Sequence, residues 1–244
     1  MRNLRLDLCY EGTRYRGWQR LSNTDNTIQQ KLETTLSRIL EEPIEVVASG
    51  RTDAGTHALR QTVNFHCKSQ MPSGEILENL RRYIPEDIGV YFCKDVSERF
   101  HARLNAKTKT YRYRIWNSDS PCVFQRKFVY IEQELLDVPA MQKAAQFFLG
   151  QHDFSAFCVK RSDKKSTVRY IHSFCVERVG DEVVFTVNGN GFLHHMVRIM
   201  VGTLVEVGKH QREPDSITEL FGAKRAESGV LLPACGLCLM EVNY

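Results

Sequence analysis

Hydrophobic and polar positions along the chain alternate in patterns that predict strands and helices in turn. Near the start, Leu4, Leu6 and Leu8 alternate with polar residues, which is typical of a half-buried strand. The patterns that follow predict, in order, a helix at 27–42 ended by Pro43, strands at 44–48 and 62–67, a helix at 73–83 and a strand at 89–96. This order is that of the ferredoxin-like split βαβ arrangement, which RNA-recognition modules share.

The second half of the chain repeats this pattern loosely. Its predicted elements are, in order, a strand at 108–116, a helix at 138–149, paired strands at 168–177 and 182–188, an apolar helix at 193–207 and a strand at 237–242. Segment 97–106 joins the halves, and we expect its Phe100 and Leu104 to be buried. The expected fold class is α+β, with two abutting ferredoxin-like or RRM-like lobes at 1–104 and 105–244, mainly antiparallel sheets and a central active-site cleft.

Composition narrows the class of protein. The chain has 244 residues, of which 42% are hydrophobic and 25% charged, and these are ordinary globular values. No apolar run approaches the roughly 20 residues that span a bilayer, and residues 1–10 lack the apolar region of a signal peptide. We therefore expect a cytoplasmic protein that does not enter a membrane.

Metal binding is disfavoured by the spacing of the candidate ligands. Eight cysteines are scattered along the chain, and only Cys235 and Cys238 have ligand-like spacing. A zinc site needs about four ligands, and no second pair is present. His194 and His195 fall within the predicted apolar helix, where adjacent side chains point in different directions. We therefore expect no bound metal.

Charge distribution is more informative than the net charge of +4. In three clusters, basic side chains are interleaved with or adjoin aromatic ones, and a fourth is purely basic; a surface of this kind binds phosphates and stacks bases. The basic members are Arg14, Arg16 and Arg20; Arg81 and Arg82; Lys107, Lys109, Arg112 and Arg114; and Lys160, Arg161, Lys164 and Lys165. Any one cluster is equally compatible with ordinary surface charge, but four together favour an RNA-binding protein.

A glycine-bracketed aspartate supplies the candidate chemistry. Asp53 lies between Gly50 and Gly55, beside Arg51, where an apolar stretch gives way to a turn. An accessible carboxylate next to a cation stays ionised and can act as a nucleophile or a base. Asp and Gly are also ordinary turn residues, so the spacing alone is at least as compatible with a structural turn.

Six motifs in order resemble those of the TruA family of tRNA pseudouridine synthases, over nearly the whole length. They comprise Tyr10-Glu11-Gly12-Thr13-Arg14-Tyr15-Arg16-Gly17-Trp18-Gln19, the run Gly50 to Ala58, Arg99-Phe100-His101-Ala102-Arg103 with Lys109 to Tyr113, the run His152 to Phe157, the run Gly191 to Arg198, and the run Pro233 to Leu239. One such motif is weak evidence, whereas six in order are specific.

The resemblance implies an enzyme that converts uridine to pseudouridine without metal or organic cofactor. It implies that Asp53 is the catalytic aspartate, that Tyr111 lies against the target uracil and that Arg198 pairs with Asp53. Arg51 is expected to contact the RNA backbone or help displace the base, and Leu237 to pack on the uracil or in the core. By alternation Tyr113 shares a face with Tyr111, so only the resemblance favours Tyr111.

The resemblance also implies a substrate and an assembly. The expected substrate is the anticodon stem-loop of tRNA, at tRNA positions 38–40, and the expected assembly is a homodimer. The chain departs from the family pattern at Thr56, Arg60 and Thr62, which indicates a divergent paralogue. Two alternatives therefore stay open, the same chemistry on another RNA such as ribosomal RNA and a non-catalytic RNA-binding protein.

Overall fold

The computed structural model describes residues 1–159 and 166–244, and these form two compact units. Met1–Lys107 and Leu239–Tyr244 make up the first unit, and Thr108–Cys238 the second. The chain thus passes from one unit to the other after Lys107, where the sequence predicted Leu104. Its final strand is shared, since most of that strand returns to the first unit.

The first unit has the ferredoxin-like order of elements. These are β1 (Arg2–Tyr10), α1 (Ile28–Leu40), β2 (Val46–Ala48), β3 (His57–Cys67), α2 (Ser73–Tyr83) and β4 (Ile88–Val96). The strands run in the order β4-β1-β3 with β2 also paired to β3, and every one of these pairings is antiparallel. The elements predicted from the sequence therefore form an antiparallel sheet, as expected for the ferredoxin-like arrangement.

Alternating burial along β1 explains how this unit is held together. Leu4, Leu6 and Leu8 are fully buried, as are Leu32 and Leu36 of α1. Each buried leucine of this size stabilises the fold by roughly 1.5–3 kcal/mol relative to an exposed one. The N-terminus of α1 is capped by the Thr27 hydroxyl, which accepts a 3.3 Å hydrogen bond from the Gln30 amide.

The second unit is built around four antiparallel strands. Its elements are β5 (Thr108–Trp116), β6 (Tyr130–Ile131), α3 (Val138–Ala145), β7 (Gly150–Asp153), β8 (Val168–Val179), β9 (Glu182–Gly189), α4 (Met196–Gly208) and the start of β10 (Leu237–Asn243). The sheet order is β5-β9-β8-β7, these neighbours pair antiparallel, and β6 pairs with β5 in parallel. The fold class is therefore α+β with mainly antiparallel sheets, as the sequence predicted.

Several boundaries differ from the predicted ones for local reasons. Helix α1 ends at Leu40, before the predicted Glu42, because Glu41 takes a left-handed conformation with φ 54°. Helix α4 starts at Met196, after the predicted residue 193, because His195 is left-handed with φ 66°. No helix in the described ranges is both long enough and apolar enough to span a membrane.

The burial predicted for segment 97–106 is half right. Phe100 is partly buried, but Leu104 is 77% exposed. Hydrophobic periodicity could not predict the exposure of Leu104, because the segment lies between β4 and β5 and has no regular secondary structure.

Candidate active site

The Asp53 loop, residues 49–56, connects β2 to β3 in the first unit. Asp53 is half-buried and the neighbouring Arg51 is exposed, while Thr52 and Thr56 on either side are buried. The Thr56 amide donates a 3.1 Å hydrogen bond to the Asp53 carbonyl, which closes a turn at that residue. Buried threonines therefore anchor the loop on both sides of the carboxylate.

Two glycines of the opening motif pack against the Asp53 loop. A Cβ at Gly12 would overlap the Thr56 carbonyl oxygen. A Cβ at Gly17, which has φ +92°, would lie 2.9 Å from the Thr52 carbonyl oxygen and 3.2 Å from the Asp53 carbonyl carbon. Only glycine allows the backbones to approach this closely. The Asp53 loop thus packs directly against the backbone of the opening motif.

Hydrogen bonds fix this packing in place. The Trp18 amide donates 3.0 Å to the Thr52 carbonyl, and the Tyr10 and Thr52 hydroxyls lie 2.8 Å apart in a buried hydrogen bond. The Gly12 amide donates 3.0 Å to Nδ1 of buried His57. Tyr10, Thr52 and His57 are positioning residues that the sequence did not single out, although all three lie inside the motifs it did.

The start of the loop is held by Gln61 of β3. The Ser49 hydroxyl lies 2.5 Å from Oε1 of Gln61, and Nε2 of Gln61 donates 2.8 Å to the Gly50 carbonyl. Ser49 also donates its amide to the Thr62 carbonyl at 2.9 Å. The side chain of Gln61 therefore holds Ser49 and Gly50, the two residues that follow the last residue of β2.

The three departures from the family pattern have different surroundings. The Thr56 hydroxyl is buried and has no hydrogen-bond partner among the described residues. The Thr62 hydroxyl donates 2.8 Å to Asp7. Arg60 is exposed, with its guanidinium 5.8 Å from the centroid of the Tyr91 ring. Of the three, Thr56 is the one bonded to Asp53, through its backbone amide.

The two candidate tyrosines, Tyr111 and Tyr113, have different surroundings in the second unit. The Tyr113 hydroxyl donates 2.7 Å to the Pro233 carbonyl, and its side chain has no exposed surface. Burial raises the pKa of Tyr113 far above its ordinary value. Tyr111 is also buried, and its ring meets the Phe192 ring edge-on at 5.1 Å between centroids. Tyr113 is therefore a core residue that cannot stack on a base.

Arg198 lies on α4, where its neighbours Met196, Val197 and Ile199 are buried. It is half-buried, and its Nε donates 2.7 Å to the Leu232 carbonyl. This bond fixes the direction of the guanidinium. Asp53 belongs to the first unit and Arg198 to the second, so the Asp53–Arg198 ion pair stays a prediction.

Leu237 is buried at the first position of β10, directly after a 3-10 helix at Ala234–Gly236. The Cys235 thiol lies 3.3 Å from the Val129 carbonyl, and burial raises the pKa of this thiol.

The predicted helix at 193–207 included His194 and His195, and this part of the prediction was wrong. His194 and His195 precede α4 and their ring centroids are 3.6 Å apart, so their side chains do not point in different directions.

Several predicted RNA-binding arginines have protein partners instead. Arg114 makes two 2.6 Å bonds to Glu182, and Arg14 donates 2.6 Å to Asp87. Arg81 donates to two carbonyls of β4. Spacing does not show which cations are already paired, so these three arginines are less available to phosphates than the clusters alone indicated. Lys160, Arg161, Lys164 and Lys165 lie outside the described residues.

The run His152 to Phe157 contributes mainly to the core of the second unit. Phe154 and Phe157 are fully buried together with Phe148, and their ring centroids lie 5.1–6.4 Å from that of Phe148. His152 stacks on Phe221 with centroids 4.0 Å apart, and its Nε2 lies 2.8 Å from the Leu149 carbonyl. This motif therefore supports the fold rather than the chemistry.

Comparison with known proteins agrees with this arrangement. A family model described as tRNA pseudouridine synthase matches residues 9–105 and 144–244, which include Asp53, Arg198 and Leu237. The tRNA pseudouridine synthase A 1 of Clostridium tetani (strain Massachusetts / E88) is 46% identical over 245 residues. Similar proteins from Bacillus sp. (strain KSM-64) and Bacillus cereus (strain ZK / E33L) are 43% and 42% identical. In all three cases the similarity covers the whole of both chains. The chain belongs to the tRNA pseudouridine synthase family.

Proposed function

We propose that this protein converts uridine to pseudouridine in tRNA, with Asp53 as its catalytic carboxylate. The observation that carries the proposal is the support of the Asp53 loop by Gly12, Gly17 and Gln61. An ordinary surface turn needs no such support, whereas a reacting carboxylate must be held within a fraction of an ångström of its productive position. Membership of the family gives this carboxylate its reaction.

The reaction breaks the N1–C1′ bond of the uridine, turns the uracil and forms a C5–C1′ bond. N1 gains a proton and C5 loses one, so the product is an isomer of the substrate. Positive charge grows on the ribose as the N1–C1′ bond breaks, and a carboxylate at that position stabilises it, as in glycosidases. Attack of Asp53 on C1′ and removal of the 2′ proton by Asp53 are both compatible with this placement.

Tyr111 and Leu237 are the residues we propose to hold the displaced base. The uracil must leave the stack to react, and a flipped base needs an aromatic or apolar surface to lie on. Tyr111 has such a ring, and its contact with Phe192 restrains the orientation of that ring. A phenol has an ordinary pKa of about 10 and is a poor base at neutral pH, so contact with the base is the role we assign to Tyr111.

Two arginines complete the proposed site. Arg198 would pair with Asp53 and orient its carboxylate, and the bond of Arg198 to the Leu232 carbonyl already limits the positions its guanidinium can take. Arg51, exposed two positions before Asp53, would contact the RNA backbone beside the target or help displace the base.

The proposed substrate is the anticodon stem-loop of tRNA, with the target uridines at tRNA positions 38–40. Support comes from the names of the relatives, which describe tRNA pseudouridine synthase A enzymes matching the full length of the chain. We further propose that the protein acts in the cytoplasm as a homodimer, as the family resemblance implies. A solution mass near that of a single 28.2 kDa chain, with full activity, would contradict the dimer.

The test is pseudouridine mapping across all RNAs in cells lacking the protein, complemented by the wild type or by Asp53→Asn. We expect sites at tRNA positions 38–40 to disappear on deletion and return only with the wild type. Return of the sites with Asp53→Asn would contradict the catalytic assignment. Loss confined to ribosomal RNA would contradict the substrate alone. No loss at any site would favour a non-catalytic RNA-binding protein.

A further inference from the structure

The 99–104 loop, residues Arg99 to Leu104, is the part of the first unit least explained by the proposed reaction. Arg99, Arg103 and Leu104 are all exposed, and Leu104 is 77% exposed. Within the described part of the chain, neither guanidinium forms an ion pair or a hydrogen bond. A single exposed leucine needs no explanation, but an exposed leucine directly after Arg103, in a loop with two unpaired arginines, is a distinct surface.

Two buried asparagines hold the backbone of this loop. Nδ2 of Asn3 donates 2.9 Å to the Ser97 carbonyl and 2.8 Å to the Phe100 carbonyl. Oδ1 of Asn64 accepts a 2.8 Å hydrogen bond from the Ala102 amide, and Asn64 also donates 3.0 Å to Asn3. Buried amides with several satisfied bonds specify one geometry. The loop is therefore fixed to the sheet.

A second set of contacts fixes the loop from its other side. The Tyr244 hydroxyl donates 2.7 Å to the Ala102 carbonyl, and the Tyr244 ring lies 5.1 Å from that of Phe100. Nδ1 of His101 accepts 3.2 Å hydrogen bonds from the Arg103 and Leu104 amides. The exposure of Leu104 is consequently a property of an ordered backbone.

We propose that the 99–104 loop is a second RNA-binding element, in which Arg99 and Arg103 bind phosphates and Leu104, next to Arg103, packs against a base or ribose. This inference rests on the proposed function, because that function supplies a polyanion with exposed sugar edges. Unpaired guanidinium groups match phosphate in charge and geometry. RNA-binding surfaces combine such cations with side chains that contact the bases, and apolar as well as aromatic side chains serve in this way.

The position of the loop makes it remote from the target uridine. Asn64, which binds the loop, follows His57 by seven positions along β3, and His57 directly follows the Asp53 loop. At about 3.3 Å per residue, the two ends are roughly 20 Å apart along the strand. The loop would therefore contact the body of the RNA and add affinity without touching the reacting base.

The experiment measures the affinity of the intact chain for an unmodified tRNA transcript at several salt concentrations. The variants are Arg99→Ala/Arg103→Ala, Arg99→Lys/Arg103→Lys and Leu104→Ala. Leu135→Ala is the matched control for the leucine, because Leu135 is equally exposed, at 77%. Thermal unfolding of each variant checks its fold, and single-turnover pseudouridine formation at saturating protein checks its chemistry.

We expect the double alanine variant to bind at least about tenfold more weakly and to lose about one unit of salt slope per arginine. The lysine variant should recover most of that slope. Leu104→Ala should bind several-fold more weakly with an unchanged slope, and Leu135→Ala should bind as the wild type does. Pseudouridine formation at saturation should be unchanged in all of them.

Unchanged affinity and slope in the double alanine variant would overturn the inference. Equal effects of Leu104→Ala and Leu135→Ala would overturn the role of Leu104. A change of oligomeric state in Leu104→Ala with unchanged RNA affinity would instead assign the loop to a protein interface. Failure of the proposed function is distinguishable, because then the wild type itself forms no pseudouridine even where it binds RNA.

Discussion

The backbone amide of Gly12 donates a 3.0 Å hydrogen bond to Nδ1 of His57, joining the opening motif to the end of the Asp53 loop. Nδ1 of His57 is the acceptor in this bond, so the imidazole ring is held against the backbone of the opening motif. Both residues lie in segments of the chain that the sequence marks as motifs, and together they hold the loop that carries Asp53.

Replacing Gly12 tests this support directly. A methyl group in Gly12→Ala would overlap the Thr56 carbonyl, and a backbone atom cannot rotate away as a side chain can. We expect the free energy of unfolding to fall by about 2–4 kcal/mol and pseudouridine formation to fall roughly a hundredfold. Denaturant unfolding and a single-turnover assay measure these. In the control Gly74→Ala the added atom meets nothing within 4 Å, so neither the free energy of unfolding nor the rate of pseudouridine formation should fall below that of the wild type.

The buried Thr56 hydroxyl predicts a stabilising substitution. Valine has the same shape without the hydroxyl, which finds no hydrogen-bond partner among the described residues. We expect Thr56→Val to raise the free energy of unfolding by about 1 kcal/mol. Thr62→Val is the matched control, because it removes a 2.8 Å bond to buried Asp7 and should lower that free energy by about 1–2 kcal/mol. A loss of stability in both variants would contradict the prediction.

Substitutions at the two tyrosines should separate base contact from core packing. Tyr111→Phe keeps the ring and should retain most of the pseudouridine formation, whereas Tyr111→Ala should lose about tenfold or more. Tyr113→Phe removes the donor to the Pro233 carbonyl and should destabilise the fold by about 1–2 kcal/mol. The rate at which the folded variant forms pseudouridine should change little. Equal losses in Tyr111→Phe and Tyr111→Ala would show that the hydroxyl takes part in proton transfer.

Alkaline pH should weaken the fold through Tyr244. Burial raises the pKa of Tyr244 from its ordinary 10.0 to about 12. A raised pKa in the folded state means that the protonated form is favoured there, so its stabilisation is complete below about pH 10 and is lost as the pH rises towards about 12. Unfolding curves in that window should be less pH-dependent for Tyr244→Phe than for the wild type. Identical pH dependence would contradict the prediction.

The topology of the first unit could be predicted because its strands and helices follow clear periodicities. The leucines of β1 gave both the strand and its buried face, and β5 was predicted to the residue. The starts and ends of helices were less predictable. Left-handed residues such as Glu41 and His195 set them, and neither is a glycine whose presence would have signalled the turn.

The candidate site also has parts that the sequence could predict and parts that it could not. Asp53 and Arg198 could be proposed from the sequence because both lie in motifs that resemble those of the family, and their roles stay predictions. Positioning bonds could not be found, since whether Gln61 reaches Gly50 depends on how two segments pack. The exposure of Leu104 could not be predicted either, because hydrophobicity alone indicates burial and the polar network beneath the loop is formed by distant residues.

The return of the final strand to the first unit has a consequence for synthesis. Residues 108–238 form one unbroken unit, whereas the first unit needs 239–244 to place β10 beside β3. During translation β3 therefore keeps an uncovered strand edge until the last residues of the chain have been made. The sheet of the first unit, whose strands β1 to β4 are synthesised early, is thus completed only when synthesis ends.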